Sequence, residues 1–192
     1  MTVVINPSAP EEYEDISNAI VKGKIVAYPT ESVFGIGCDP ENEKSINKII
    51  AIKNRSKQKG LIIIADEVKK LSKFIHKDYL DLFIKKSDIE SKPTTWIVPS
   101  SKHVLNLVKG EDSSVALRIT QHPIASRICK YSNKAIISTS ANISSKTPAK
   151  NSNEILMQFG EEIDIIVDGR VGDSIKPTQI VDLITNKVIR ES

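Results

Sequence analysis

The chain has 192 residues, 40% hydrophobic and 27% charged, with a net charge of +3 and two cysteines. That suits one domain spanning residues 1–192 with a substantial core. No apolar run approaches the roughly 18 residues that cross a bilayer, and the polar N-terminus is unlike a signal peptide, so a cytoplasmic protein is expected.

In chain order, "SAPEE" offers Ser8 as N-cap, Pro10 in the first turn and Glu11 for a capping box. Tyr13, Ile16 and Ile20 then form a helical stripe that Gly23 ends. "KIVAYP" predicts a strand stopped by Pro29, and Ile46, Ile49 and Ile50 mark a second helix. "LIIIA", residues 61–65, is apolar at every position, as in a strand buried on both faces. Two short helices fill 67–86. "TTWIV", "SVALRI", "AIISTS", "IDIIVD" and "TQIVDLI" predict further strands, with helices near 101–109, 121–131 and 152–159. This interleaving predicts an α/β domain with a mixed, twisted sheet, whose binding groups gather in loops at strand ends.

The charge is unevenly distributed. From Lys44 to Lys59 there are six cations and no acid, so the remainder of the chain is net negative. A nucleic-acid-coating protein is more often basic throughout. Within "AIKNRSKQKG", an extended backbone would put Lys53, Arg55, Lys57 and Lys59 on one side, a comb able to grip a polyphosphate. The equally simple alternative is a solvated lysine-rich loop closing a helix, where cations suit the dipole.

Other stretches carry weaker signals. In "YPTESVFGIGCDP", Thr30 and Ser32 present hydroxyls past a strand, while Gly35 and Gly37 read as a tight glycine turn. The chain has no GxxxxGK[ST], which argues against a P-loop. "AIISTSANISSKTPAK" delivers Ser138, Thr139, Ser140 and Asn142 into a loop, suited to neutral hydrogen bonds to anionic oxygens or to a plain turn. Ser140 lacks the GxSxG surroundings of a nucleophile. Arg118 ends an apolar strand, where it is either paired with a carboxylate or reserved for an anionic ligand; alone, pairing is the simpler account. His76, His103 and His122 lack metal-ligand spacing. Cys38 and Cys129 are expected to be free thiols.

Together, "AYPTESVFGIGCDP", "KNRSKQKGLIIIA", "SVALRITQHP" and "STSANISS" resemble, in order and spacing, the YrdC-type L-threonylcarbamoyladenylate synthases in their short, single-domain TsaC form. The likeness runs from about Lys22 to Arg190 and rests above all on the pair Lys53/Arg55 with the later pair Ser140/Asn142. It implies a curved mixed sheet with a basic concave cavity. It also implies that L-threonine, bicarbonate and ATP give threonylcarbamoyl-AMP and pyrophosphate, for the N6-threonylcarbamoyl modification of tRNA adenosine 37. Lys53 and Arg55 would then be catalytic. Arg55, Lys59, Ser114, Ser140, Asn142, Pro148 and Arg190 would bind ATP, and Ser32, Arg118, Ser138 and Thr178 would bind threonine. Mg²⁺ would accompany ATP with no tight protein metal site, and downstream tRNA threonylcarbamoyl-transfer machinery would take the product.

The chain departs from that family in two places. Where a Trp-Pro-Gly-Pro stretch is common it has "ESKPTTWIVP", with Glu90, Ser91 and Lys92 replacing the usual residues. Ser32 stands where threonine is frequent. Two alternatives remain: an RNA-binding module using the basic cavity, with weak tRNA or RNA binding, and a related adenylate-forming enzyme that takes another amine.

Overall fold

The computed structural model describes residues 1–56, 59–90, 92–110, 113–174 and 176–192. Lys57 and Ser91, both singled out above, lie outside the described residues.

The expected alternation of strands and helices is present. A short strand β1 (Val3–Ile5) leads into α1 (Pro10–Val21), followed by the hairpin β2 (Val26–Pro29) and β3 (Phe34–Gly37). Next come α2 (Glu43–Ile52), β4 (Ile62–Ala65), and the helices α3 (Val68–Leu71) and α4 (Leu80–Ile89). The antiparallel pair β5 (Thr94–Pro99) and β6 (Ser114–Ile119) precedes α5 (Pro123–Ser132) and β7 (Ile136–Ser140). The chain continues through α6 (Ser152–Phe159), β8 (Ile165–Val167), β9 (Gln179–Asp182) and β10 (Val188–Arg190).

Among the described residues the strands make one mixed ten-stranded sheet, in the order β1-β8-β2-β3-β7-β4-β6-β5-β9-β10. Side-chain alternation along the strands builds two apolar layers. In β2, Val26 and Tyr28 join Ile16, Ile20, Ala125 and Ile128 under α1 and α5, whereas Ala27 faces the larger core with Phe34, Ile46, Ile49 and Ile63. In β4, Ile63 and Ala65 face that larger core and Ile64 the other, so this strand is buried on both sides, as its unbroken apolar run predicts.

Several local expectations are corrected. The α1 N-cap is Ala9 rather than Ser8, and the carboxylate of Glu12, not Glu11, accepts the backbone N–H groups of Ser8 (2.6 Å) and Ala9 (3.0 Å). No helix forms at 101–109. Only isolated turns form there, such as Val108 N–H to the Leu105 carbonyl (2.9 Å), while Ser101 N–H donates to the Phe74 carbonyl and the Val108 carbonyl accepts from Leu61.

The glycine stretch is a strand, not a turn. Gly35 and Gly37 lie in β3, where a Cβ at Gly37 would come within 2.3 Å of the Ile137 carbonyl and 2.8 Å of the Tyr28 hydroxyl. Glycine is required there by close strand approach. The family likeness had not extended to β1, and β10 was hidden in the polar "KVIRES". Among the described residues, no helix is long and apolar enough to cross a membrane. Cys38 and Cys129 are buried free thiols.

Candidate functional site

Strand register gathers the predicted residues. Residues directly paired across neighbouring strands share a face. One such row crosses five strands: Ser138 on β7, Ile62 on β4, Ala116 on β6, Ile97 on β5 and Asp182 on β9. Neighbouring pairs add Gly35 with Ser140 and Ile64 with Arg118. Positions far apart in the chain therefore meet because strand order, not sequence order, places them together.

Two adjoining cavities lie on this face. The smaller, of about 200 Å³, is lined by Ser32, Arg118, Ser138, Thr178, Ser140 and Pro148, with Thr30, Phe34 and Gly35 behind them. The larger, of about 510 Å³, is lined by Lys59, Ser114, Gly60 and Gly110, with an apolar wall of Ile97, Ile180 and Ile189. Arg55, Ile62 and Arg190 line both. All residues assigned to threonine or ATP by resemblance thus border these compartments, except Asn142.

Among the described residues of the basic stretch, Arg55 and Lys59 border the same compartment but Lys53 does not join them, so the comb is not formed as expected. Lys53 caps α2 in helical conformation and Asn54 turns left-handed (φ 49°), so successive side chains diverge. Lys53 runs inward, only 2% exposed, and lines neither compartment. Its ammonium donates to the carbonyl of Ser140 and, at 2.6 Å, to that of Asn142, while its own carbonyl accepts from Ser144 N–H (2.8 Å). Lys53 is a clamp on the loop after β7. Arg55 instead turns to the compartments, its guanidinium anchored on the Gly60 carbonyl at 2.9 Å.

Asn142 belongs to the same clamp. Its amide oxygen accepts from the Ser140 hydroxyl (2.7 Å), and its amide nitrogen donates to the carbonyls of Ile143 (3.1 Å) and Lys146 (2.8 Å). From the other side, Gln158 on α6 accepts from Ile143 N–H (3.2 Å) and donates to the Thr147 carbonyl (2.9 Å). Ala141 N–H bonds the Phe34 carbonyl, and Phe34 N–H bonds the Ala149 carbonyl, both at 2.8 Å. The loop carrying Ser140 and Pro148 is thus fixed from three directions.

On the opposite wall, the Arg118 guanidinium donates to the Thr178 hydroxyl at 3.0 Å and lies 3.3 Å from the Glu31 carboxylate. The Thr178 hydroxyl also meets that of Thr95 at 3.2 Å, and the Thr178 carbonyl accepts two bonds from Arg190, at 2.6 and 3.2 Å. The wall is therefore both paired, as Arg118 taken alone suggests, and open to a ligand.

The electrostatics point to an anion. Burial, followed by the Arg55 charge, lowers the Lys53 ammonium to about 8. Burial lowers Arg55 as well, and burial with the Arg118 charge lowers Arg190. Burial is the first cause for all three, with a neighbouring cation adding to it at Lys53 and Arg190, and an anion bound beside Arg55 and Arg190 would offset that cost. Burial pushes the Glu31 carboxyl up, but Arg118 and the hydrogen bonds from Thr120 and Gln121 outweigh it and hold it below its ordinary value.

Sequence reasoning missed Glu31, Thr95, Thr120 and Gln158. The one available signal for Glu31 was its place between the two hydroxyls of "TES" in an otherwise apolar stretch. Among the described residues, no group of three or more His, Cys, Asp or Glu is positioned to hold a metal. The carboxylate bordering the larger compartment, Asp182, already accepts at one oxygen from Ile184 N–H, Thr185 N–H and the Thr185 hydroxyl.

The open mixed sheet thus carries two adjoining compartments with Arg55 and Arg190 at their junction, an arrangement suited to anionic ligands. The Sua5/YciO/YrdC family model, described as "Telomere recombination", matches residues 18–192, and the chain belongs to that family. It is 36% identical over 178 residues to the threonylcarbamoyl-AMP synthase of Histophilus somni (strain 2336), covering 92% of this chain and 97% of that protein. With the threonylcarbamoyl-AMP synthase of Methylococcus capsulatus it shares 38% identity over 174 residues, 91% of this chain and 94% of the other. A doubly substituted Sua5 of P. abyssi superposes with a TM-score of 0.86 at 26% identity, covering 95% of this chain and 57% of the Sua5 chain. The chain thus spans a little over half of that solved structure and nearly the full length of the two synthases.

Proposed function

We propose that this chain is an L-threonylcarbamoyladenylate synthase, making threonylcarbamoyl-AMP and pyrophosphate from L-threonine, bicarbonate and ATP. The product serves the N6-threonylcarbamoyl modification of tRNA adenosine 37 and passes to a threonylcarbamoyl-transfer machinery. One observation carries the reading: Arg55 and Arg190 line both compartments, at the place where a reaction joining two bound ligands must occur. Relatives at 36–38% identity over nine-tenths of the chain carry the name threonylcarbamoyl-AMP synthase and so supply the substrates.

The smaller compartment takes threonine. Arg118 faces its carboxylate, while Ser32, Ser138 and Thr178 orient its polar groups through hydroxyls. ATP occupies chiefly the larger compartment, with the isoleucine wall against the base and Lys59, Ser114 and Arg55 toward the phosphates, which reach past Arg55 and Arg190 to Ser140 and Pro148 on the wall of the smaller one. The threonine amine adds to bicarbonate with loss of water, giving a carbamate. A carbamate oxygen then attacks the α-phosphorus, forming the new O–P bond as the bond to pyrophosphate breaks. No covalent protein nucleophile is needed. The chain's contribution is to hold two anions in line and offset charge on the phosphates. Mg²⁺ accompanying ATP would supply further charge neutralisation on the phosphates, beside Arg55 and Lys59 of this chain. Lys53 and Asn142 act one step removed, by fixing the loop that presents Ser140 and Pro148.

The RNA-binding alternative takes the basic cavity as a groove for RNA phosphates; Lys53, one of the six clustered cations, is buried and lines neither compartment, which favours the small-ligand reading. Free thiols at Cys38 and Cys129 suit a reducing compartment, and we place the reaction in the cytoplasm. Purified protein should release pyrophosphate from ATP only when threonine and bicarbonate are both present. Release that ignores threonine, or no release from folded protein, would refute the reading; faster release with another amine would reassign the substrate.

A further inference from the structure

We propose that Glu31 is a positioning residue for amino-acid capture: its enclosed carboxylate holds the Arg118 guanidinium in place at the wall of the smaller compartment. This rests on the synthase reading above. Glu31 does not line that compartment, so its action is through Arg118 and not on substrate.

The geometry around Glu31 is that of an anchor. One carboxylate oxygen accepts from the Thr120 hydroxyl at 2.7 Å and from Gln121 N–H at 3.3 Å. The other stands 3.3 Å from an Arg118 terminal nitrogen. Both side chains are 8% exposed. A second segment closes over Glu31 from outside: Gly172 N–H donates to the Thr30 carbonyl (2.9 Å) and Ser174 N–H to the Glu31 carbonyl (3.1 Å). A Cβ at Gly172 would fall 2.7 Å from that same Glu31 carbonyl, so the segment lies directly against it.

The network is also incomplete. Glu31 Oε2, Arg118 Nε and His122 Nδ1 are buried atoms without a hydrogen-bond partner, and these residues are linked to one another through Thr120. Buried polar atoms in native proteins are almost always paired, and the exceptions gather at functional sites. Arg118 has one terminal nitrogen on Thr178 and the other against Glu31, with Nε unused. Arg118 lines the smaller compartment, and a substrate carboxylate there can meet its guanidinium provided the guanidinium is already oriented. A buried ion pair is weak evidence of stabilisation and is better explained by such a geometric role.

The test is steady-state pyrophosphate release by the wild-type protein and by Glu31→Gln, Glu31→Asp and Thr120→Ala, with thermal melts of each. Glu31→Gln keeps the shape and removes the charge. It should raise the KM for threonine by about ten-fold, leaving the KM for ATP unchanged and kcat within about three-fold. Glu31→Asp, which keeps the charge, should fall between it and the wild type. Thr120→Ala, which frees one carboxylate oxygen, should raise the threonine KM by roughly two- to four-fold. An unchanged threonine KM in these variants overturns the proposal. So does a parallel rise in both KM values that tracks lost thermal stability, the signature of a purely structural pair. If Glu31→Gln does not fold, Glu31→Asp and Thr120→Ala decide the matter by the same criterion. A wild type without threonine-dependent release overturns the synthase reading and this proposal with it, whereas an active wild type with unaffected variants overturns this proposal alone.

Discussion

Replacing Lys53 by methionine keeps the apolar stem and removes the ammonium that clamps the loop after β7. The expected cost has two opposing parts. The wild type loses two charge-assisted hydrogen bonds, to the Ser140 and Asn142 carbonyls, each contributing about 1.5–3 kcal/mol. Against this, burial of the charge is already expensive: lowering the ammonium from 10.5 to about 8 corresponds to roughly 3 kcal/mol. The net destabilisation of Lys53→Met is therefore about 0–3 kcal/mol, a fall in Tm of about 0–12 °C for a chain of this size. The catalytic effect should be much larger in proportion, because the loop places Ser140 and Pro148: a loss in kcat/KM for ATP of about 10–100-fold. Pyrophosphate release against ATP concentration, alongside a thermal melt, reads both. A stable Lys53→Met protein with wild-type kcat and KM for ATP would refute the clamp. The sign of the pH dependence is a second check. The folded ammonium lets go of its proton near pH 8, whereas the unfolded chain holds it to about 10.5. Over that window the unfolded state binds more protons, so the stability of the wild type relative to Lys53→Met should rise with pH. A difference that falls over that window would show that the ammonium is not buried as described.

Arg55→Ala removes a cation shared by both compartments and should lower turnover by roughly 10²–10³-fold, as for other preorganised charge-stabilising donors; near-normal turnover in folded protein would remove Arg55 from the mechanism. Arg118→Lys keeps the charge but cannot meet Thr178, Glu31 and a carboxylate at once, so the KM for threonine should rise by about ten-fold or more with the KM for ATP unchanged. Equal shifts in both would place threonine elsewhere. Gly37→Ala drives a methyl against the Ile137 carbonyl and should cost about 1–3 kcal/mol, read as a lowered Tm; a variant as stable as the wild type would show that the strands can separate.

How much could be read before the structure depended on whether a signal was local. The unbroken apolar run of β4 and the isoleucine spacing of α2 state their own burial, and both elements form where expected. Gly35 and Gly37 carry no such statement. Their need for a missing Cβ comes from Ile137 and Tyr28 across the sheet, which no window of sequence contains. The apolar spacing at 101–109 suggests a helix, but the backbone groups of Ser101 and Val108 are taken by Phe74 and Leu61. At the site, the hydroxyls and arginines of the two compartments were legible because their stretches stand in a recognisable order. The direction of Lys53 was not, since it depends on carbonyls 87 and 89 positions away that receive its ammonium. Glu31 was hidden for a related reason, as its partner Arg118 is 87 positions away and meets it only through the sheet.

The placement of Arg190 has a consequence for regulation by the substrates themselves. β10 is a three-residue edge strand with one neighbour, and its Val188 and Ile189 are exposed, so it is prone to fray. Arg190 borders both compartments from that strand, and its bonds to the Thr178 carbonyl tie the edge to the threonine wall. Ligands that engage Arg190 bind the closed edge and not the frayed one, so each substrate shifts the same local equilibrium. Threonine and ATP would then assist one another without touching, by sharing the work of holding down one short strand.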